Sequence, residues 1–234
     1  FLMTTRPDVG RPRLAPFAAL EGATLLSGLG NGVAMVAMPW LVLELTGDAA
    51  AAGLVAGVTA LPMLLSSLFS GTLVDRFGRR RTSVVSDLLS ALSAAAIPVV
   101  AVAGDLTFGW VLALAVLGSV FDPAGVTARE SMLPDVASAA GLPLQRVNGI
   151  HEAVWGLAYL IGPAIGGLLI GVVGAVDALW LLSAGFLASS GLLALVRVPG
   201  AGRPRAADRP AMWAGTLEGL RFVWRDPVLR SVTM

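Results

Sequence analysis

The stretch GTLVDRFGRRR, running from Gly71 to Arg81, decides how this chain is read, because it sets one aspartate and four arginines between two long apolar runs. Such a density of charge has no place in hydrocarbon, so the segment marks a tight turn at one face of a membrane. Outward from it, six apolar segments lie at 17 to 45, 49 to 70, 82 to 103, 108 to 128, 147 to 173 and 176 to 196. Each has about the 20 residues that carry a helix across some 30 Å of hydrocarbon. Runs such as Ala91 to Ala103 and Val111 to Val120 are apolar all round, whereas the strands of a membrane barrel alternate. Composition agrees: 56% of residues are hydrophobic, 13% are charged and the mean hydropathy is +0.81, outside the averages of a soluble domain. The expected fold is an all-α integral membrane protein with six transmembrane helices.

The basic residues set an orientation. All 16 are arginine, and they fall in the N-terminal arm, the second loop, the fourth loop (Arg129, Arg146) and the tail from Arg197 onward. The first, third and fifth loops carry only Asp48, Asp105 and Asp177. The positive-inside bias then puts both chain ends in the cytoplasm. The net charge of +1 hides this asymmetry and gives no reason to expect a nucleic-acid partner. Cysteine is absent, which removes disulfide and thiol chemistry. An arginine-only composition rich in Ala, Gly and Val suggests a GC-rich bacterial genome, and the expected location is the bacterial inner (cell) membrane.

Four regions are expected: a cytoplasmic arm at 1 to 16, a bundle at 17 to 196, a linker at 197 to 225 and the start of a further unit at 226 to 234. Within the linker, Trp213, Leu217, Leu220 and Trp224 recur at helical spacing, which predicts an amphipathic helix on the inner surface. The chain opens at Phe1 and stops inside that further unit, so a fragment of a longer protein is expected. Gly71, Leu73 and Gly78 have counterparts 96 positions on in Gly167, Leu169 and Gly174. Two three-helix units of opposite topology would place these sets at opposite faces, as inverted repeats do.

Gly71, Asp75, Arg76, Gly78, Arg79, Arg80 and Arg81 match, in order and spacing, the loop between helices 2 and 3 of the major facilitator superfamily, and the chain resembles that family throughout. PWLVLELTGD at Pro39 to Asp48, FDPA at Phe121 to Ala124, LPD at Leu133 to Asp135, IGPAIGG at Ile161 to Gly167 and EGLRFVWRDPVLR at Glu218 to Arg230 are similar to its macrolide efflux and enterobactin exporter branch. The resemblance implies the N-terminal six-helix half of a twelve-helix secondary transporter, with a C-terminal half to complete the cavity. It implies proton-coupled efflux of amphipathic small molecules, drug-like compounds or a siderophore, by alternating access, with no cofactor. The alternatives are an importer of the same family and a non-transporting six-helix fragment or scaffold subunit. Hydrolase chemistry has no suitable nucleophile and base at depth, and an ATP-driven pump would need a P-loop, which the sequence lacks.

Candidate sites follow. The resemblance implies that Asp75, Arg79 and an acid on helix 4, taken to be Asp122, form a charge cluster latching the outward-facing state, with Gly71 and Gly78 shaping the turn and Arg76 and Arg80 beside it. Gly149, Gly162, Pro163, Gly166 and Gly167 resemble the glycine-rich helix 5 signature of drug and proton antiporters, with Ala158 where that signature has glycine. Small residues and a proline at such spacing serve close packing and bending. Glu21, Asp87 and Glu152 are the candidate proton-linked acids; Asp87 is also a candidate partner for Arg79 to Arg81, and Glu152 stands beside His151. Asn31, flanked by Gly28, Gly30 and Gly32, is expected to face the substrate cavity with Met35 and Met38. Trp155 and Tyr159 are candidates for ligand stacking or for packing.

Overall fold

The computed structural model describes residues 13 to 104 and 106 to 197. The N-terminal arm before Arg13, the linker beyond Arg197 with its expected amphipathic helix, and 226 to 234 lie outside the described residues. Six helices follow in chain order: α1 (Leu14–Thr46), α2 (Ala49–Phe77), α3 (Arg79–Val102), α4 (Phe108–Ala140), α5 (Leu144–Val173) and α6 (Ala175–Leu195). All six are long and apolar enough to cross a membrane, and no strand occurs among the described residues.

The turn at Gly71 to Arg81 is tighter than expected. α2 runs on through Asp75 and Arg76 to Phe77, α3 begins at Arg79, and Gly78 alone joins them. Its φ of 86° with ψ of 143° lies in a region that only glycine enters without strain. Gly174 joins α5 to α6 in the same way, at φ 89° and ψ 163°. A second correspondence extends the repeat: α1 and α4 both end on left-handed glycines, Gly47 at φ 67° and Gly141 at φ 66°. These caps return an N–H to the last turn, as helix C-termini require. Helix lengths repeat too, at 33, 29 and 24 residues against 33, 30 and 21.

Packing crosses between the repeats. α1 lies against α5 and α6, α4 against α2 and α3, and α3 against α6. One apolar core (Val33, Leu41, Ile97, Val111, Leu179, Phe186) sits toward the end of the bundle remote from the arginines. A second (Leu20, Met132, Val136, Val147, Leu193) sits at the arginine-bearing end. Only 6% of the most apolar stretch of α2 is buried, and 17% of that of α5, against 44% for α1. Those two faces are therefore left for lipid or for further protein.

Helix 4 needs the largest correction. Its apolar segment predicts an end at 128, yet α4 continues to Ala140. The last turns stay helical because Ala128, Met132, Val136 and Ala140 recur every fourth residue and all are buried. Arg129 therefore lies within a helix rather than in a loop, and Arg146 lies in α5.

Candidate functional site

A cavity of about 430 Å³ opens within the bundle, in the half remote from the arginines. Asn31, Met35 and Met38 of α1 line it, with Met63 of α2, Tyr159 of α5 and Phe186 of α6. Asp122 lines it as well. Fourteen residues into α4, about 21 Å along the helix axis, it reaches the bundle's middle. Asn31 Nδ2 donates to Asp122 Oδ1 at 3.1 Å. No arginine or histidine pairs with Asp122 among the described residues. The lining is otherwise mostly aliphatic, thioether and aromatic, so one carboxylate supplies the charge of an apolar chamber.

The expected cluster of Asp75, Arg79 and Asp122 does not form. Asp75 is exposed on the last turns of α2 and makes no ion pair among the described residues. Asp122 faces the cavity instead of the arginine-bearing end. The acid that meets Arg79 is Asp135, from the part of α4 beyond its predicted end, at 2.6 Å from Nη1. Arg80 reaches over the C-terminus of α6, donating to the carbonyl oxygens of Leu193 at 3.3 Å and Ala194. A cation at that terminus satisfies carbonyls that have no helical partner. Arg76 lies over the Phe77 ring at 5.8 Å from its centroid, and Arg81 is exposed.

Deeper in the arginine-bearing half, Arg129 is 1% exposed and Asp87 2%. The Arg129 guanidinium donates to Asp87 and, at 3.1 Å, to Ser27 Oγ of α1. Ser189 of α6 donates to the other carboxylate oxygen of Asp87 and is buried with it. Four helices are tied at this point. Asp87 is thus the partner of Arg129, not of Arg79 to Arg81. Glu21, on α1, receives His151 of α5: Nδ1 stands 3.1 and 3.2 Å from the two carboxylate oxygens. His151 is 1% exposed, so it is not the solvated neighbour of Glu152 that its place near a helix start suggests. Glu152 itself is exposed.

With this architecture established, comparison with known proteins places the chain. The family model described as Major Facilitator Superfamily matches residues 20–234. The chain belongs to the major facilitator superfamily. It is 46% identical over 223 residues to the "Multidrug efflux pump Tap" of Mycolicibacterium fortuitum, a match covering 94% of this chain and 54% of that protein. To the "Multidrug efflux pump Tap" of Mycobacterium tuberculosis (strain ATCC 25618 / H37Rv) it is 48% identical over 216 residues, covering 91% and 52%. A more distant relative is the "Staphyloferrin A transporter" of Staphylococcus aureus, 24% identical over 157 residues, covering 64% and 38%. The chain spans about half the length of the first two relatives, and its six helices are those of half a major facilitator fold.

In this major facilitator half the helix 5 signature divides into two faces. A Cβ added to Gly162 would stand 2.8 Å from Gly32 Cα, and one on Gly166 3.1 Å from Val33 Cα, so these glycines let α1 and α5 touch backbone to backbone. Pro163 packs on Gly32 from the same side. Gly149 and Gly167 have open space where a side chain would go. Ala158, in place of the signature's glycine, is accommodated by Gly28: a Cβ there would lie 2.8 Å from the Ala158 Cβ. Gly71 also faces open space. The residues that sequence reading missed are Asp135, Arg129, Ser27 and Ser189. The four-residue recurrence of Ala128, Met132, Val136 and Ala140, closed by Gly141, is the signal that would have carried α4 through Arg129 and Asp135; no such signal marks Ser27 or Ser189.

Proposed function

We propose that this chain is the N-terminal half of a secondary transporter that exports amphipathic, cationic small molecules in exchange for protons by alternating access. The observation that carries this reading is Asp122, a carboxylate with no ion-pair partner among the described residues, facing an apolar, methionine-lined cavity midway along a membrane-spanning helix. A carboxylate at that depth is costly without a counter-charge, and Asn31 supplies a hydrogen bond but no charge. A lipophilic cation supplies both charge and apolar surface. Met35, Met38 and Met63 offer flexible, polarisable side chains that adapt to varied shapes. Relatives named as multidrug efflux pumps support the direction of transport and the breadth of substrate.

The arginine-bearing end faces the cytoplasm on the positive-inside bias, with both chain ends on that side of a bacterial inner membrane. The cavity occupies the outer half, and the ties of Arg79 to Asp135 and of Arg80 to the end of α6 hold the inner half closed. On this reading these contacts belong to the outward-facing state, and inward opening parts them. Gly32 against Gly162, and Gly166 against Val33, give α1 and α5 a smooth seam along which rocking is transmitted. A second six-helix half, joined through the linker at 197 to 225, completes the cavity against the uncovered faces of α2 and α5.

Ethidium, a fixed cation with an apolar ring system, is the probe. Energised cells expressing the full-length parent are expected to extrude it, and a protonophore is expected to abolish extrusion. Ethidium retention equal to that of cells lacking the protein, with the protein folded in the membrane, would overturn the export reading.

A further inference from the structure

Glu21, His151 and Trp155 form a chain of hydrogen bonds that the cavity does not include. Glu21 stands on the second turn of α1 and is 8% exposed; His151 stands in the first third of α5 and is 1% exposed. Trp155, one turn further along α5, donates its indole N–H to His151 Nε2 at 3.2 Å. An indole nitrogen only donates, so Nε2 must present its lone pair. The imidazole hydrogen is then on Nδ1, where the Glu21 carboxylate accepts it at 3.1 Å. Every polar position of the histidine is filled, and the tautomer is fixed by its two neighbours.

This arrangement has one way to accept a proton on the ring. Protonation at Nε2 would set two N–H groups against each other, so Trp155 must give up its hydrogen bond and turn. The pair passes from one net negative charge, carboxylate with neutral imidazole, to none, carboxylate with imidazolium. Trp155 has little slack: a Cβ on Gly28 of α1 would lie 3.2 Å from its ring. On its other side it stacks on Tyr159, with centroids 5.5 Å apart and planes at 28°. Tyr159 lines the cavity that holds Asp122. A proton on His151 is thereby felt at the α1–α5 seam and at the cavity wall.

A route to the site exists from the arginine-bearing end. A recess of about 270 Å³ is lined by His151, Glu152, Asn148 and Glu130. Glu152 and Glu130 are exposed and share the lining of this recess with the imidazole. Other charged groups of the surrounding helices are committed or distant. Arg129 of α4 is held by Asp87 of α3 and Ser27 of α1. Arg146, between the recess-lining Leu144 and Asn148 on α5, is exposed, as is Arg13 ahead of α1. α6 carries a single titratable residue, Asp177, at its opposite end.

We infer that Glu21 and His151 constitute a proton-binding site of this half, loaded from the recess at the arginine-bearing end and coupled to the cavity through Trp155 and Tyr159. The inference rests on the transport reading and gives the coupling ion a place within it. Glu152 acts on the path to the site, and Asp87 holds Arg129 rather than a transported proton.

The test uses the full-length parent in proteoliposomes, with ethidium followed in two modes: accumulation driven by a pH gradient, and exchange with no gradient. In the wild type both are expected. Glu21→Gln and His151→Gln are each expected to lose the gradient stimulation by about ten-fold or more, while exchange continues. Gradient stimulation of wild-type size in both variants overturns the proton site and leaves the transport reading standing. A wild type that moves ethidium in neither mode overturns the transport reading and the inference together. Trp155→Phe decides the matter where the first two variants fail to fold. It frees Nε2 of the indole N–H that must be given up before that nitrogen can take a proton, so the pH profile of gradient-driven transport is expected to move upward. An unshifted profile in that variant overturns the inference.

Discussion

Arg79 and Asp135 stand 56 positions apart in sequence and meet at 2.6 Å, joining the first turn of α3 to the last third of α4. The pair closes the arginine-bearing end of the bundle, and its side chains remain 32% and 26% exposed. Water therefore screens it, and its worth lies in biasing one packing of α3 on α4 over another more than in stability. In a double-mutant cycle of Arg79→Gln and Asp135→Asn, thermal unfolding in detergent is expected to give a coupling of about 1 kcal/mol or less. Asp75→Asn, which breaks no ion pair among the described residues, is expected to stay within about 0.5 kcal/mol of wild type.

The buried pair of Arg129 and Asp87 behaves differently. Asp87→Ala leaves a guanidinium inside the bundle with, among the described residues, Ser27 alone to accept from it, and breaking such a pair from one side costs about 3–5 kcal/mol. Adding Arg129→Met removes the stranded charge, so the double variant is expected to recover much of that loss. Unfolding midpoints of the two variants, measured side by side, check the order.

Glycine substitutions separate the two faces of α5. Gly162→Ala would drive a methyl group to 2.8 Å from the Gly32 backbone, and overpacking of that kind costs about 1–3 kcal/mol. Gly167→Ala meets open space and is expected to be neutral or slightly stabilising through the helix. Gly174→Ala is expected to lose about 1–3 kcal/mol through its backbone conformation alone. The same thermal measurement ranks the three.

Much of this fold is legible in the residues alone. Apolar length fixes the helices, because a bilayer demands about 20 residues per crossing. The Gly78 and Gly174 turns are legible through their repeat. What the sequence could not place is which acid meets which arginine. Asp122 and Asp135 lie on the same helix with suitable neighbours, and the choice depends on where α4 ends. Reading Arg129 and Glu130 as the start of a loop cuts the helix short of Asp135 and leaves Asp122 as the only acid within reach. Hydropathy reads a charged residue inside a membrane helix as the helix's end when the partner that neutralises it comes from another helix, as Asp87 does for Arg129. The pairing of Glu21 with His151, 130 positions apart, is hidden for the same reason.

The central claim is that Asp122 recognises the charge of an exported cation, and ethidium binding to the purified full-length parent tests it most directly. Fluorescence titration of wild type, Asp122→Asn and Asp75→Asn is the measurement. The account predicts that Asp122→Asn weakens binding by about 10-fold to 100-fold, as loss of one charge-assisted contact in an apolar site does. It predicts that Asp75→Asn binds as wild type does. Equal affinity of the wild type and Asp122→Asn would contradict it.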